Sequence, residues 1–198
     1  MKSKVKKRFI ILLLLAALLL SGCSSDKSEF QQFPTFTYTH YSSGGTAEEY
    51  EAVILFEESN STFTAYQVAF SSCTCRDSLV NYKSVCYVEI LNTKPSAELA
   101  AIRSITFGDN RGLYGDSNPN YYRPDYTEEY MDTNFIQRFV RVTKGELDGW
   151  GGYGTQLDVM DLDLISGATV TSGNVTSMLK SLMQYHTDKY YKGDKPDG

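Results

Sequence analysis

The chain is 198 residues long and carries 24 acidic against 19 basic side chains, a formal net charge of −5. That balance argues against a nucleic-acid partner and against membrane attachment through a basic patch. With 41% apolar residues, the roughly 165 residues beyond the N-terminal segment can bury one core and fall short of two comfortable domains.

The N-terminus opens with Lys2, Lys4, Lys6, Lys7 and Arg8, followed by an apolar run from Phe9 to Leu20. The run is too short for a membrane span, which takes about 18 or more such residues, and has the proportions of a signal peptide over residues 1–22. It ends Leu20-Ser21-Gly22-Cys23, which resembles the lipobox of bacterial lipoproteins. The resemblance implies that Cys23 is diacylated on its thiol and becomes the first mature residue. Acyl chains supply about 0.8 kcal/mol per buried methylene, enough for two or three of them to hold a protein on a bilayer. Residues 23–35, rich in Ser at the start, read as a flexible tether between lipid and domain. Loss of residues 1–22 takes the charge to −10, with 14 basic residues against 24 acidic.

Residues 36–192 are expected to form the folded domain and 193–198 a polar tail. Glu51 to Glu57, Phe63 to Phe70, Val85 to Leu91 and Ile102 to Phe107 are rich in β-branched and aromatic residues and read as strands. Tyr130 to Val142 places Phe135, Phe139 and Val142 at helical spacing, and Glu146-Leu147-Asp148-Gly149 reads as a short helical turn. Strands first and helices later predict an α+β domain with a mainly antiparallel sheet and flanking helices.

The most informative residues lie near the C-terminus: Asp163-Leu164-Ile165-Ser166-Gly167-Ala168-Thr169. Val175, Met178, Leu179, Leu182 and Met183 follow at spacings of three and four, one apolar stripe along a helix, with Thr171 or Ser172 as its N-cap. A helix start offers unpaired N–H groups and the positive end of the macrodipole, so a phosphate near Thr169 would be stabilised there. Gly167 and Ala168 keep side-chain bulk away from the Thr169 hydroxyl. Ser-Gly-Ala-Thr alone is compatible with a capping turn that binds nothing. The longer pattern Asp-x-x-Ser-Gly-Ala-Thr arises by chance in roughly a few chains per ten thousand of this length.

This string resembles the flavinylation motif of the FMN-binding domain family, whose members include the C subunit of the sodium-translocating NADH:quinone reductase and the G subunit of the Rnf complex. Tyr114-Gly115-Asp116-Ser117-Asn118-Pro119 is similar to a turn that precedes the motif in members from Gram-positive bacteria. The resemblance covers about the last 90 residues. It implies FMN joined by a phosphoester to Thr169, with Ser166, Gly167 and Ala168 forming the turn and Asp163 in the motif's acidic position. It also implies a flavin transferase that installs the cofactor and a membrane electron donor or external acceptor that exchanges electrons with it. A lipid-anchored electron carrier on the outer face of the bacterial cytoplasmic membrane is the expected whole. The alternative is a ligand-binding or structural surface lipoprotein of the same fold without covalent flavin. No acid, base or nucleophile stands in an arrangement that would mark an enzyme with its own substrate.

Three cysteines remain beside Cys23. If residues 76–84 form a hairpin loop, Cys73 or Cys75 could lie across from Cys86. One structural disulfide (Cys75 with Cys86) and one leftover thiol is the favoured arrangement outside the cytoplasm. A redox-active cysteine beside the flavin and three inert packed thiols are the other readings. Cys73-Thr74-Cys75 with Cys86 falls short of four zinc ligands unless His40 joins, and no metal site is expected. Gly149-Trp150-Gly151-Gly152-Tyr153-Gly154 lacks the spacing of a phosphate loop and reads as a flexible turn. Its functional alternative is that Trp150 or Tyr153 shields one face of the flavin ring. Asp158, Asp161 and Asp163 read as a solvated face, and His186 as a favourable cation at the end of its helix.

Overall fold

The computed structural model describes residues 33–42, 44–73, 82–108, 128–155, 157 and 169–191. Among these residues five strands form one sheet in the order β1 to β5: Thr35–Tyr41, Ala47–Ser59, Phe63–Cys73, Tyr82–Leu91 and Ile102–Phe107. Every neighbouring pair is antiparallel, so the sheet is a meander. Three α-helices follow among the described residues: α1 (Glu128–Asn134), α2 (Lys144–Asp148) and α3 (Thr169–Tyr190). The domain is α+β, as the order of patterns predicts.

Alternation decides which face is covered. Phe36, Tyr38 and His40 of β1, Ala52 and Ile54 of β2, Tyr66, Val68 and Phe70 of β3, and Cys86, Val88 and Ile90 of β4 are all buried. They meet Val175, Met178, Leu179, Leu182 and Met183 of α3, which lies over β1 and β3 and touches α2. The stripe read from the sequence is thus the buried face of the helix, each side chain contributing about 2 kcal/mol through burial. The opposite face of the sheet leaves Leu55, Phe56 and Tyr87 more than one-third exposed. A bulge between Ile54 and Phe56 reverses the alternation of β2 and brings Glu57 round to the helix side. There Glu57 accepts hydrogen bonds from Lys189, Tyr190 and Tyr185 of α3.

Several sequence expectations need correction. β1 and the first four residues of β2 carry no expected strand, yet they pair in continuous register from Thr35↔Val53 to Tyr41↔Ala47. The helix expected over Tyr130–Val142 is two pieces, because Phe135 leaves the helical backbone (φ −124°) and a 3-10 turn, Ile136–Phe139, follows α1. Its apolar residues still reach the core: Phe135, Phe139 and Val142 are buried. The short helical turn is α2, closed at its start by a capping box between Thr143 and Glu146. Helix α3 begins at Thr169, so Thr171 and Ser172 lie inside its first turn and are not its cap.

The hairpin expected to join the cysteines is also different. Cys73 stands opposite Tyr82 and Cys86 opposite Val68, so Cys73 and Cys86 sit four strand positions apart along the ladder. That separation is about 13 Å, far beyond the reach of a disulfide. Cys86 is a free thiol in the core. Cys75 lies outside the described residues.

Candidate functional site

The first turns of α3 are pinned to the sheet by one side chain. Asn174 is fully buried; its Oδ1 accepts the Tyr41 N–H at 2.6 Å. Its Nδ2 donates to the Tyr41 carbonyl at 3.1 Å and to the Ser72 carbonyl at 3.0 Å. The helix that starts at Thr169 is therefore fixed to the ends of β1 and β3 five residues after that start. A helix of this length carries a full macrodipole, with its positive end at the Thr169 terminus. Asp163, Ser166, Gly167 and Ala168 lie outside the described residues, as do Asp158, Asp161 and the Tyr114–Pro119 stretch.

Aromatic rings gather beside this helix start. Tyr41 and Tyr153 lie 5.5 Å apart between centroids, and Tyr41 meets Trp150 edge-on at 6.1 Å. Both tyrosines rest on Gly173, where an added Cβ would stand 3.7 Å from each ring. Tyr153 is also held from the β1–β2 turn. At Gly45, φ is +81° and a Cβ would come within 2.7 Å of the Tyr153 ring, so glycine is needed for both reasons. Trp150 is buried, with its indole N–H donating to the Thr155 carbonyl at 3.2 Å. Of the two residues expected to face a flavin, Tyr153 is half-buried and stands against the first turns of α3, while Trp150 is buried and borders the groove beside Tyr41.

The Gly-rich turn packs beside Tyr41. At Gly152 (φ +101°) an added Cβ would stand 3.1 Å from the Tyr41 hydroxyl oxygen. From this turn a groove of about 370 Å³ runs along α3, bounded by Thr39 and Tyr41 on β1, Trp150 on the turn, and Ser177, Lys180 and Gln184 on the helix. Lys180 Nζ donates to the Asp148 carbonyl at 3.0 Å and reaches the Trp150 carbonyl at 3.5 Å. The Asp148 carboxylate is engaged by Lys144. Sequence reading missed Tyr41, Asn174 and Lys180: each reads singly as a strand or helix residue, and only the packing joins them.

The histidines are core residues. His186 is fully buried, with Nδ1 2.9 Å from the Tyr66 hydroxyl, and burial lowers its pKa to about 4. It is neutral at physiological pH, which corrects the expectation of a cation at the helix end. His40 stacks on Tyr50 at 4.3 Å, and burial lowers its pKa as well, with Lys83 adding to the shift and Glu48 opposing it. Among the described residues no three metal-ligating side chains converge, and no helix is long and apolar enough to cross a membrane. Compared with known protein families, curated proteins and solved structures, the chain matches none.

Proposed function

We propose that the protein is an extracytoplasmic electron carrier that holds FMN through a phosphoester on Thr169 and is tethered to the outer face of the cytoplasmic membrane by acyl chains on Cys23. The observation that carries this reading is the junction of motif and helix: Ser166-Gly167-Ala168-Thr169 ends on the first residue of α3. A phosphate esterified at that position meets the N–H groups of the first turn and the favourable end of the dipole. The neighbouring residues suit a flat heterocycle, because Gly173 contributes no side chain and Tyr41 and Tyr153 present ring surface beside it.

Bound flavin supplies the redox chemistry, accepting electrons singly or in pairs. The protein's own residues do the rest. Asn174 holds the attachment helix against the sheet, Gly45 and Gly152 shape the turns that carry Tyr153 and Tyr41 against it, and the ester keeps the cofactor at full occupancy outside the cell. The acyl tether raises the carrier's effective concentration near membrane-bound donors and acceptors.

The test is coexpression with a flavin transferase. Wild-type protein should gain the mass of one FMN and show yellow fluorescence that survives SDS gel electrophoresis. Thr169→Ala should lose both and keep its fold by circular dichroism. Fluorescence retained in that variant excludes Thr169, and wild-type protein without added mass favours a binding or structural lipoprotein of the same fold.

A further inference from the structure

We propose that the groove along α3 seats the flavin's ring system, with Lys180 as the residue that fixes its electron-poor pyrimidine end. This rests on the attachment of FMN at Thr169 and adds to it the place and the electrostatics of the ring.

Helical register makes the first argument. At 100° per residue, positions 169, 173, 177, 180 and 184 fall within about 80° of one another, one continuous face of α3. Three of them, Ser177, Lys180 and Gln184, line the groove. The rise from position 169 is about 12 Å to Ser177 and about 16 Å to Lys180. A phosphate, a five-carbon ribityl chain and three fused rings span that order of length.

The second argument is what lies along the path. One turn beyond Thr169, Gly173 contributes no side chain and is buried beneath the rings of Tyr41 and Tyr153, which lie 3.7 Å from where its Cβ would stand. A tether leaving Thr169 therefore runs over aromatic surface before it reaches the groove. The groove is of the size that takes a planar ligand, and its walls divide into an aromatic side (Tyr41, Trp150) and a polar side (Ser177, Lys180, Gln184).

The third argument is the cation. Lys180 is anchored by main-chain carbonyls of Asp148 and Trp150, which use two of its three ammonium protons and leave one for a ring carbonyl or nitrogen. Asp148 does not neutralise it, since that carboxylate is taken by Lys144. Reduction of a flavin accumulates negative charge on the pyrimidine part of the ring. A fixed cation there stabilises the reduced form and raises the reduction potential.

The experiment compares wild type, Lys180→Gln, Lys180→Arg and Ser181→Trp, each coexpressed with a flavin transferase and read by intact mass, reduction potential and visible circular dichroism of the flavin. Ser181 is half-exposed beside the groove, so a tryptophan there fills it without touching the attachment helix's buried face. All four should carry one FMN. Lys180→Gln should move the potential to more negative values, Lys180→Arg should keep it near wild type, and Ser181→Trp should lose the induced dichroism as its ring is pushed into water. FMN present by mass with potential and dichroism unchanged in Lys180→Gln and Ser181→Trp overturns the groove and leaves the attachment standing. Absence of FMN from the wild type overturns both.

Discussion

Asn174 and Tyr41 exchange two hydrogen bonds across a sequence separation of 133 residues, one in each direction, and the same amide reaches a third partner at the Ser72 carbonyl. Through this single side chain the end of β1, the end of β3 and the first turns of α3 become one unit. All three partners are main-chain groups; the bond to the Ser72 carbonyl is buried and the two to Tyr41 are partly so. Asn174→Ala removes all three bonds and should cost about 3 kcal/mol. Asn174→Asp keeps the acceptor for the Tyr41 N–H but turns a negative oxygen toward two carbonyls, and should cost at least as much. Urea denaturation checks both: the midpoint falls while the m-value holds. A midpoint within the error of wild type for Asn174→Ala would contradict the clamp.

The β1–β2 turn separates two costs that glycine avoids. Gly44 (φ +103°) has no heavy atom within 4 Å of a would-be Cβ, whereas Gly45 (φ +81°) would collide with the Tyr153 ring. Gly44→Ala should therefore lose about 1 kcal/mol from backbone strain alone. Gly45→Ala should lose more, and should perturb the near-ultraviolet signal of the Tyr41–Trp150–Tyr153 group. Adding Tyr153→Ala to Gly45→Ala should return the steric part. Equal losses for the two single variants would mean that the Tyr153 contact has no consequence.

Cys86 tests the cysteine arrangement, since it is a free thiol in the structure while Cys75 lies outside the described residues. It faces the core from the middle of β4, and burial pushes its thiol up to about 12. A thiolate is the reactive form, so native protein should leave Cys86 unmodified by an aromatic disulfide reagent at pH 8. Denaturation should release it as a fast-reacting thiol. Cys86→Ala should cost little beyond the lost sulfur contact, about 1 kcal/mol, and should not alter sensitivity to reductant. A reductant-dependent change in stability that disappears in Cys86→Ala would restore the disulfide.

What the sequence disclosed follows from how each element earns its place. Phe63–Phe70 is legible because Tyr66, Val68 and Phe70 repeat at every second position on the buried face, and Ile102–Phe107 because it is rich in β-branched and aromatic residues. The start of β2, Ala47-Glu48-Glu49-Tyr50, is polar on both sides and is held by its partner strand, so composition hides it. In β1 the inward row includes His40, which scores as polar although it is buried against Tyr50. The break after α1 is equally hidden. Phe135, Phe139 and Val142 keep helical spacing, yet the Asn134 side chain bonds back to the Tyr130 carbonyl where the helix ends. For the site, the motif points to Thr169 and to the amphipathic helix beyond it. Nothing in the neighbourhood of residue 41 or 180 discloses that both border the same groove, because that is a product of packing across more than a hundred residues.

Acid should weaken the fold in two ordered steps, the first through His186. Burial holds its folded pKa near 4, with Glu57 pulling weakly the other way. In the unfolded chain the same imidazole takes up a proton near 6.5. Between those values the unfolded state binds the extra proton, so stability falls as pH drops from about 6.5 to about 4 and this contribution is spent below that. The loss is on the order of 3 kcal/mol. His40 shifts in the same direction, through burial, and adds to the fall in stability below its ordinary value. Glu57 acts later. Burial raises its pKa, but the hydrogen bonds from Lys189, Tyr190 and Tyr185 and the Lys189 charge outweigh that and leave it lowered. Its stabilisation is present above the ordinary carboxylate value and disappears as pH falls through the folded one. The paired variant Tyr66→Phe/His186→Leu removes the imidazole and its partner hydroxyl together, so no donor is left stranded. Urea midpoints between pH 7 and pH 4 should fall less steeply in that variant than in wild type, and the difference should vanish above pH 7. A wild-type protein that gains stability on acidification through this window would show that His186 takes its proton in the folded state.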